Sequence, residues 1–240
     1  MRGYGQFCPV AQAAEIFAER WTPLIIRELV CGSHRFNDLH RGMPLMSRSL
    51  LAQRLRRLEA AGIVERAPSG DGIGSDYFLT QAGEEFRPVI EAMGRWGQRW
   101  SRRFDATDLD PGLLVWDMQR NLHRERLPSR RVVMLMEFRG VPRRHQARSR
   151  WWLLLEPQTV DVCLKDPGFD VDLFVQADLA AMTKVWMGDL RLNDTLRSGA
   201  VALEGQPQLV RQFPTWLGLS TFAAVPRPSA SHAGPMTGVR

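Results

Sequence analysis

Apolar residues recur three and four positions apart through the first hundred residues, a spacing that favours amphipathic helices. Two short β-rich runs, IVERA and DYFLT, interrupt this pattern, and the glycine-rich PSGDGIGS between them predicts a hairpin with a flexible tip. The pattern predicts helices over 9–18, 19–32 and 36–42, a helix capped by Ser47 and ended by Gly62, and a last helix over 83–104.

The helix that follows Ser47 has an apolar side and a basic side. At about 100° per residue, Leu51, Leu55 and Leu58 share one face, which we expect to be buried. The opposite face carries Ser49, Gln53, Arg56 and Ala60, with Arg48, Arg54 and Arg57 on its flanks. Glutamine and arginine pair with base edges in the major groove, and flanking guanidinium groups neutralise phosphates.

The order of elements around this helix is that of a winged helix-turn-helix. A short helix at 36–42, a turn through Gly42 and Pro44, the capped helix and the hairpin follow one another. We therefore predict that this region binds double-stranded DNA. The residues that we expect to contact DNA are Arg48, Ser49, Gln53, Arg54, Arg56, Arg57 and, on the hairpin, Arg66.

Beyond residue 105 the apolar period changes to two. After an amphipathic helix at 111–122, the β-rich runs are VVMLMEF, RWWLLLEP, VDVCLKD, VDLFVQAD and AVALEG. Alternation in these runs predicts a mainly antiparallel sheet with one covered face. The fold class is mixed α and α+β, with residues 1–104 as a winged helix-turn-helix domain, 105–129 as linker and helix, 130–225 as an α+β domain and 226–240 as a disordered tail.

Composition narrows the class of protein. Hydrophobic residues make up 44% of the 240, which is typical of a globular chain. The formal net charge of +6 favours a polyanionic partner. The N-terminus lacks an apolar signal core and runs such as WWLLL are too short to span a bilayer, so we expect a cytoplasmic protein without a membrane span.

Candidate chemistry is sparse. We find no nucleophile elbow and no plausible Ser/His/Asp spacing, so we expect neither an enzyme nor a cofactor. Cys31, His34 and His40 fit no zinc pattern, and we predict no metal site. His123 and His145 lie among arginines, and we expect both to face solvent.

The first hundred residues resemble HxlR-type winged helix-turn-helix regulators. RWTPLIIRELVCGSHRFNDLHRGMPLMSRSLLAQRLRRLEAAGIVER and YFLTQAGEEFRPVIEAMGRWGQRW carry the resemblance, which covers about residues 4–104. Met46 departs from it, because the family more often has a small turn residue there. The resemblance implies a homodimer that reads a palindromic operator.

An apolar, aromatic stripe on the last helix supports dimerisation, although packing within one domain is the alternative. The interface residues that we expect are Phe86, Ile90, Met93, Trp96 and Trp100.

Cys8 lies just before the first helix, where the helix dipole favours the thiolate. Some HxlR-type relatives sense oxidants through an N-terminal cysteine, which makes Cys8 a candidate redox sensor. The alternative is a small residue that packs under the helix.

The second half resembles a sterol-carrier-protein-like fold. VDLFVQADLAAMTKVWMGDL and LRSGAVALEGQPQLVRQF carry the resemblance, over about residues 130–225. It implies an apolar tunnel for a lipid-like ligand; a solid core is the alternative. The candidate lining residues are Trp152, Leu164, Leu173, Met182, Trp186, Phe213 and Trp216.

The sequence therefore predicts a dimeric, sequence-specific transcriptional regulator. The family resemblance implies a repressor, and we expect an apolar small molecule to control it through the second domain. One alternative is a lipid-binding carrier whose basic domain serves as an anchor. Another is a regulator that oxidation of Cys8 controls.

Overall fold

The chain forms two compact units that divide between Trp96 and Gly97. The computed structural model describes residues 3–101 and 104–228, so most of the predicted tail at 226–240 lies outside the described residues. Each unit has its own cluster of buried hydrophobic side chains. Two separate cores agree with the change from helical to strand periodicity along the sequence.

Helices and one hairpin make up the first unit, and its last helix continues for four residues past the division. Its core is built around Ile25, Ile26 and Leu39, whose side chains are fully buried. In chain order the elements are α1 (Pro9–Phe17), α2 (Thr22–Val30), α3 (Phe36–Arg41), α4 (Arg48–Ala60), β1 (Val64–Pro68), β2 (Ser75–Leu79), α5 (Gln81–Glu84) and α6 (Arg87–Trp100).

Helix α4 begins and ends where the sequence predicts. The Ser47 hydroxyl accepts a hydrogen bond from the amide of Leu50 at 3.3 Å, which caps the helix. Gly62, just beyond the other end, adopts a φ of 70°, a conformation that favours glycine. Leu51, Leu55 and Leu58 are at most 3% exposed. The leucine face is therefore the buried face.

The predicted helix at 83–104 is wrong at its start. The structure has the short α5, which Thr80 caps by accepting from the amide of Gly83 at 3.2 Å, then a turn at 85–86, then α6. Pro88 lies in the first turn of α6. A proline has no amide proton to donate, so it begins a new helix more readily than it continues an old one.

Strands β1 and β2 form the predicted hairpin. They pair antiparallel from Val64 opposite Leu79 to Pro68 opposite Ser75. The tip between them turns through Gly72 and Gly74, whose φ values are 74° and 84°. These values favour residues without a Cβ, which explains the glycine-rich tip.

The second unit is an α+β arrangement around one five-stranded sheet. Its elements are α7 (Pro111–Arg120), a 3-10 helix (Arg124–Arg126), β3 (Val132–Arg139), a second 3-10 helix (Arg143–Arg148), β4 (Arg150–Leu155), β5 (Val160–Cys163), β6 (Leu173–Asp178), α8 (Leu179–Trp186), α9 (Leu192–Arg197), β7 (Val201–Gly205) and α10 (Pro207–Trp216). The strand order is β5-β4-β3-β6-β7.

This sheet is mainly antiparallel, as predicted, but its central pair of strands is parallel, which makes the sheet mixed. Strands β3 and β6 pair in parallel, whereas the other three pairings of the sheet are antiparallel. A parallel pair needs a crossover, and here the crossover contains β4 and β5. Alternation within each strand does not encode strand direction, so the sequence pattern missed it.

The predicted alternation holds along β6. Leu173, Val175 and Ala177 are fully buried, while Phe174 and Gln176 are exposed. One face of this strand therefore packs on the core and the other does not.

Among the described residues, no helix has both the length and the apolar character needed to cross a membrane.

Gly83 provides a test of packing in the first unit. A Cβ at this position would collide with the backbone carbonyl oxygen of Ile63, at the junction of α4 and the hairpin. We expect Gly83→Ala to lower the free energy of unfolding of this unit by about 1–3 kcal/mol, because overpacking outweighs the better helix propensity of alanine. Chemical denaturation measures it.

Gly70→Ala is the matched control. A Cβ added at Gly70 would meet no described atom within 4 Å, and the residue does not adopt a positive φ, so we expect its substitution to be neutral. Equal losses in the two variants would contradict the packing argument.

Candidate nucleic-acid interface

The outer face of α4 is exposed and carries the residues that we expect to read bases. Ser49, Gln53 and Arg56 are all exposed, opposite the buried leucines. Among the described residues, no hydrogen bond or ion pair occupies the side chains of Gln53 and Arg56, whereas the Ser49 hydroxyl lies 3.2 Å from that of Ser47. This face therefore presents one amide and one guanidinium group to a partner.

Arg48 links the two helices of the turn. Its guanidinium donates to Asn37 Oδ1 at 2.5 Å and lies 5.1 Å from the centre of the Phe36 ring. Both partners belong to α3, so Arg48 helps to set the angle between α3 and α4. It remains exposed at the start of α4.

Arg54 does not lie on the exposed flank, which corrects the prediction that it contacts phosphate. Its side chain is 15% exposed and forms an ion pair with Glu19, which follows α1. Arg57 shares this carboxylate at 3.1 Å but stays 50% exposed. Arg54 therefore fixes α4 against the body of the unit, and Arg57 alone of the two can still turn towards DNA.

A buried carboxylate supports the turn between α3 and α4. Glu28 is fully buried, and Arg27 reaches its Oε1 at 2.6 Å. The same guanidinium donates to the carbonyl of Gly42 at 2.9 Å. A Cβ on Gly42 would collide with the Glu28 carboxylate, so the close approach needs glycine. This contact ties α2 to the turn that precedes α4.

Met46 has a structural role that explains its departure from the family pattern. Its side chain is 2% exposed and belongs to the hydrophobic core, and its carbonyl lies 2.8 Å from His40 Nε2. The position is thus an internal one that accepts a large apolar side chain.

Arg66 is exposed on β1, and Ile73 at the hairpin tip is 75% exposed. The hairpin also has contacts that the sequence did not predict, and the predicted flexibility of its tip stays a prediction. Arg35, directly before α3, lies 2.7 Å from Asp71 Oδ2 and 3.4 Å from Asp76 Oδ1, and donates to the Ser69 hydroxyl at 2.6 Å. The sequence analysis did not include Arg35 among the site residues. Arg35 and Asp71 are far apart along the chain, and no local sequence pattern predicts that they pair.

Asp71 lies in the tip of the β1–β2 hairpin, which is the wing of the winged helix-turn-helix, and it is held in its charged form. The backbone amide of Ile73, first, and the Arg35 guanidinium, second, lower the pKa of Asp71 from 3.8 to about 2. Arg35 therefore offsets negative charge on an element that we expect to approach phosphates.

Helix α6 carries an exposed apolar stripe. Val89, Met93, Trp96 and Trp100 are between 43% and 56% exposed, and their spacing of four, three and four places them on one helical face. Phe86 and Ile90 do not belong to it, which corrects part of the predicted interface. Ile90 is 8% exposed within the core of the first unit, and Phe86 packs against that core.

The predicted ligand-lining residues fall into three groups. Leu164 is 48% exposed and lies just past the end of β5, so the prediction that it lines an interior tunnel is wrong. Trp152 is half-buried. The residues buried in the core of the second unit are Leu173, Met182, Trp186, Phe213 and Trp216. The indole N–H of Trp216 is buried without a hydrogen-bond partner among the described residues.

An open cleft of about 860 Å³ lies in the first unit, between Gly3–Tyr4, α1 and α4. Its charged lining residues are Glu15, Glu19, Arg20, Arg54 and Arg57. Such a lining does not suit the apolar effector that the sequence predicts.

Cys8 is exposed at the start of α1, where an oxidant can reach it, and its role as a sensor stays a prediction. No cluster of three or more metal-ligating side chains occurs within residues 3–101 and 104–228.

Known proteins resemble the first unit of this chain. A family model described as HxlR-like helix-turn-helix matches residues 16–105. YvaP of Bacillus subtilis, an uncharacterised HTH-type transcriptional regulator, is 31% identical over 97 residues, which are 40% of this chain and 90% of YvaP. The chain belongs to the HxlR-like helix-turn-helix family.

Other relatives match the same HxlR-like unit. Mb3122 of Mycobacterium bovis, also an uncharacterised HTH-type transcriptional regulator, is 38% identical over 95 residues, and the match spans only 60% of its length and 39% of this chain. The solved structure of the reduced form of the regulator YodB from B. subtilis is 31% identical, with a TM-score of 0.36; the match covers 42% of this chain and all of YodB. These matches concern the HxlR-like unit and not the sheet of the second unit.

The wing of the HxlR-like unit has a measurable acid transition. Because the pKa of Asp71 is lowered, its contribution to wing stability is present above pH 3.8 and is lost as the pH falls towards 2. The amide of Ile73 donates to Asp71 Oδ1 at 3.0 Å, so its NMR chemical shift should titrate with a pKa of about 2.

Asp71→Asn removes the titrating group and should abolish this shift change. If the chemical shift of the Ile73 amide titrated with the ordinary pKa of an aspartate, the hydrogen bond between Ile73 and Asp71 would be refuted.

Proposed function

We propose that the protein is a homodimeric transcriptional repressor that reads a palindromic operator with α4. The observation that carries the proposal is the exposed pair of Gln53 and Arg56 on a capped helix whose leucine face is buried. Membership of the HxlR-like family supports DNA binding. Such a regulator acts in the cytoplasm, where bacterial DNA lies.

The exposed side chains suggest a division of labour. Arg56 would pair with a guanine edge and Gln53 with an adenine edge, since these are the bidentate contacts that the two groups form in the major groove. Arg48, Arg57 and Arg66 would contact phosphates, which position the protein without reading sequence. Arg54 has no part in DNA contact in this proposal, because Glu19 holds it.

The exposed stripe of Val89, Met93, Trp96 and Trp100 supports a dimer through α6. Contiguous aromatic and methionine surface is typical of interfaces. Two copies of α4 held about one helical turn of DNA apart would read two half-sites, and this doubling supplies much of the specificity of an operator.

We assign the second unit a sterol-carrier-like fold and an apolar effector that also carries a hydrogen-bond acceptor. The order of strands and helices supports the fold, and the unpaired indole N–H of Trp216 supports the acceptor. Effector binding that favours one spacing of the two α4 helices, with a coupling of about 1–3 kcal/mol, would change operator affinity about five- to 150-fold. Native mass spectrometry would reveal a co-purified ligand.

Removal of the Arg56 side chain tests the assignment of the reading face. We expect Arg56→Ala, and likewise Gln53→Ala, to reduce discrimination between a selected operator and random duplex by about 1–3 kcal/mol, because a base contact is lost. Fluorescence anisotropy with operators selected from a randomised library measures both affinities.

Arg66→Ala removes the same charge from the wing and is the matched control. It should weaken operator and random duplex alike, with a shallower dependence on salt. An operator-to-random ratio that Arg56→Ala leaves intact would refute the face assignment. A wild-type ratio of one would instead favour a lipid-binding protein with a basic anchor.

Helix α6 allows a separate test of the dimer. Trp96→Glu places a charge in the exposed apolar stripe and should convert the dimer to a monomer, while circular dichroism stays unchanged because Trp96 is 56% exposed. Sedimentation velocity measures the assembly state.

Arg95→Glu is the control, since Arg95 is exposed on α6 but away from the stripe. It should remain dimeric. Dissociation of both variants, or of neither, would show that the stripe does not hold the dimer together.

A further inference from the structure

The loop between β3 and β4, together with the strand residues Arg139 and Arg150 that flank it, concentrates positive charge in the second unit. Between Glu137 and Glu156 the chain has no acidic residue, and five arginines occur from Arg139 to Arg150. All five are exposed. Nothing in the winged helix-turn-helix accounts for this surface, which belongs to the other unit.

Four of these arginines have no carboxylate partner among the described residues. One of them, Arg144, donates instead to the carbonyl of Thr107 and to His145 Nε2. The other three are Arg139, Arg143 and Arg148. By contrast, Arg150 pairs with Glu137 at 2.8 Å. Arg191, directly before α9, and Arg197, its last residue, pair with Asp194 at 2.8 Å and 2.7 Å. Unpaired arginines on one short loop leave a local excess of positive charge.

The carboxylates that border the loop are already engaged. Asp110 accepts from the amides of Gly112 and Leu113 at 2.8 Å and 3.2 Å, which caps α7. Asp178, which lies close to Gly140, accepts from the amide of Ala181 at 2.8 Å and caps α8. Within the described part of the chain, neither forms an ion pair with Arg139, Arg143 or Arg148. These neighbouring carboxylates therefore do not neutralise the arginines of the loop.

The base of the loop is ordered. His145, which we expected to face solvent, is only 9% exposed, and its Nε2 lies 3.6 Å from Asp110 Oδ2. The indole of Trp151 donates to the carbonyl of Arg148 at 2.7 Å, and the amide of Phe138 donates to the carbonyl of Ser149 at 2.8 Å. The buried histidine and these bonds hold the 3-10 helix, so its arginines project from a fixed support.

Guanidinium groups without internal partners suit phosphate. Arginine binds phosphate oxygens in a bidentate manner, and a rigid support lowers the entropy that such a contact costs. Arg139 gives one hydrogen bond to the carbonyl of Gly199 at 3.1 Å, which steadies it and leaves donors free. The loop thus offers exposed guanidinium donors that suit phosphate oxygens.

We propose that Arg139, Arg143 and Arg148 form a second DNA-contact surface, which binds the phosphate backbone outside the bases that α4 reads. The choice of DNA among polyanions rests on the proposed function, because the HxlR-like unit brings duplex to the same chain and so raises its local concentration at this loop. The contact adds affinity and salt dependence but no sequence preference.

The test uses the full chain and a random-sequence duplex. Arg143→Ala with Arg148→Ala removes two exposed arginines whose side chains form no ion pair or hydrogen bond with the described residues. We expect binding to weaken about tenfold near 0.1 M salt, and the slope of log affinity against log salt to fall by about two, since each phosphate contact releases about 0.9 counterion. Arg143→Lys with Arg148→Lys should keep most of the slope.

Arg191→Ala with Arg197→Ala is the matched control. It removes the same formal charge from the same unit, but from two arginines that share the carboxylate of Asp194, so it should lower the slope clearly less than the Arg143/Arg148 variant does. An unchanged slope in the Arg143/Arg148 variant, or an equal fall in the control, would overturn the proposal.

A second arm separates DNA from a membrane surface. Both variants are titrated with vesicles of phosphatidylglycerol and phosphatidylcholine. Loss of vesicle binding with intact DNA binding would overturn the proposal in favour of lipid head groups. The operator-to-random ratio of the wild type tests the proposed function independently, since backbone contacts do not change that ratio.

Discussion

Burial of the leucine face of α4 is the constraint on which the rest of the interface depends. Leu51, Leu55 and Leu58 are nearly inaccessible to water, and each such side chain stabilises the folded state by about 1.5–3 kcal/mol. Rotation of α4 about its axis would expose all three, so the helix has one orientation. That orientation leaves Gln53 and Arg56 outside, although no side-chain bond to a described residue holds them there.

Charge in the first unit has two separate uses. Arg35 pairs with Asp71 and connects the wing to the start of α3. Arg48 and Arg54 bind Asn37 and Glu19, and so connect α3 and the turn after α1 to α4, the helix that we propose reads DNA. Such partly exposed pairs contribute little to stability, but they restrict geometry. Fewer arginine side chains are therefore available to bind a partner than the sequence predicts.

Local patterns were sufficient for most of the helices and strands and for one face of the candidate site. The cap at Ser47, the leucine spacing and the glycine-rich hairpin each act within a few residues, so the sequence predicts α4 and the wing directly. Long-range pairings were not predictable in this way. The ion pair of Arg54 with Glu19, the tie of Arg35 to Asp71 and the parallel pairing of β3 with β6 each join distant positions.

The apolar periodicity also assigned some side chains to the wrong surface. The apolar pattern of α6 runs through Phe86 and Ile90 without a sign that these two serve the core of their own unit. Likewise, alternation continues from Val162 to Leu164, whereas β5 ends at Cys163. A pattern records which side chains are apolar, but three-dimensional packing decides what they touch.

The parallel pairing at the centre of the second sheet has a consequence for the order of folding. Met134 pairs with Leu173, and the strands between them must be in place around that contact. Closing so long a loop is slow, whereas α4, the hairpin and α5 contact neighbours along the chain. During synthesis the first unit can therefore acquire its structure on the ribosome before the central strands of the second unit have both emerged.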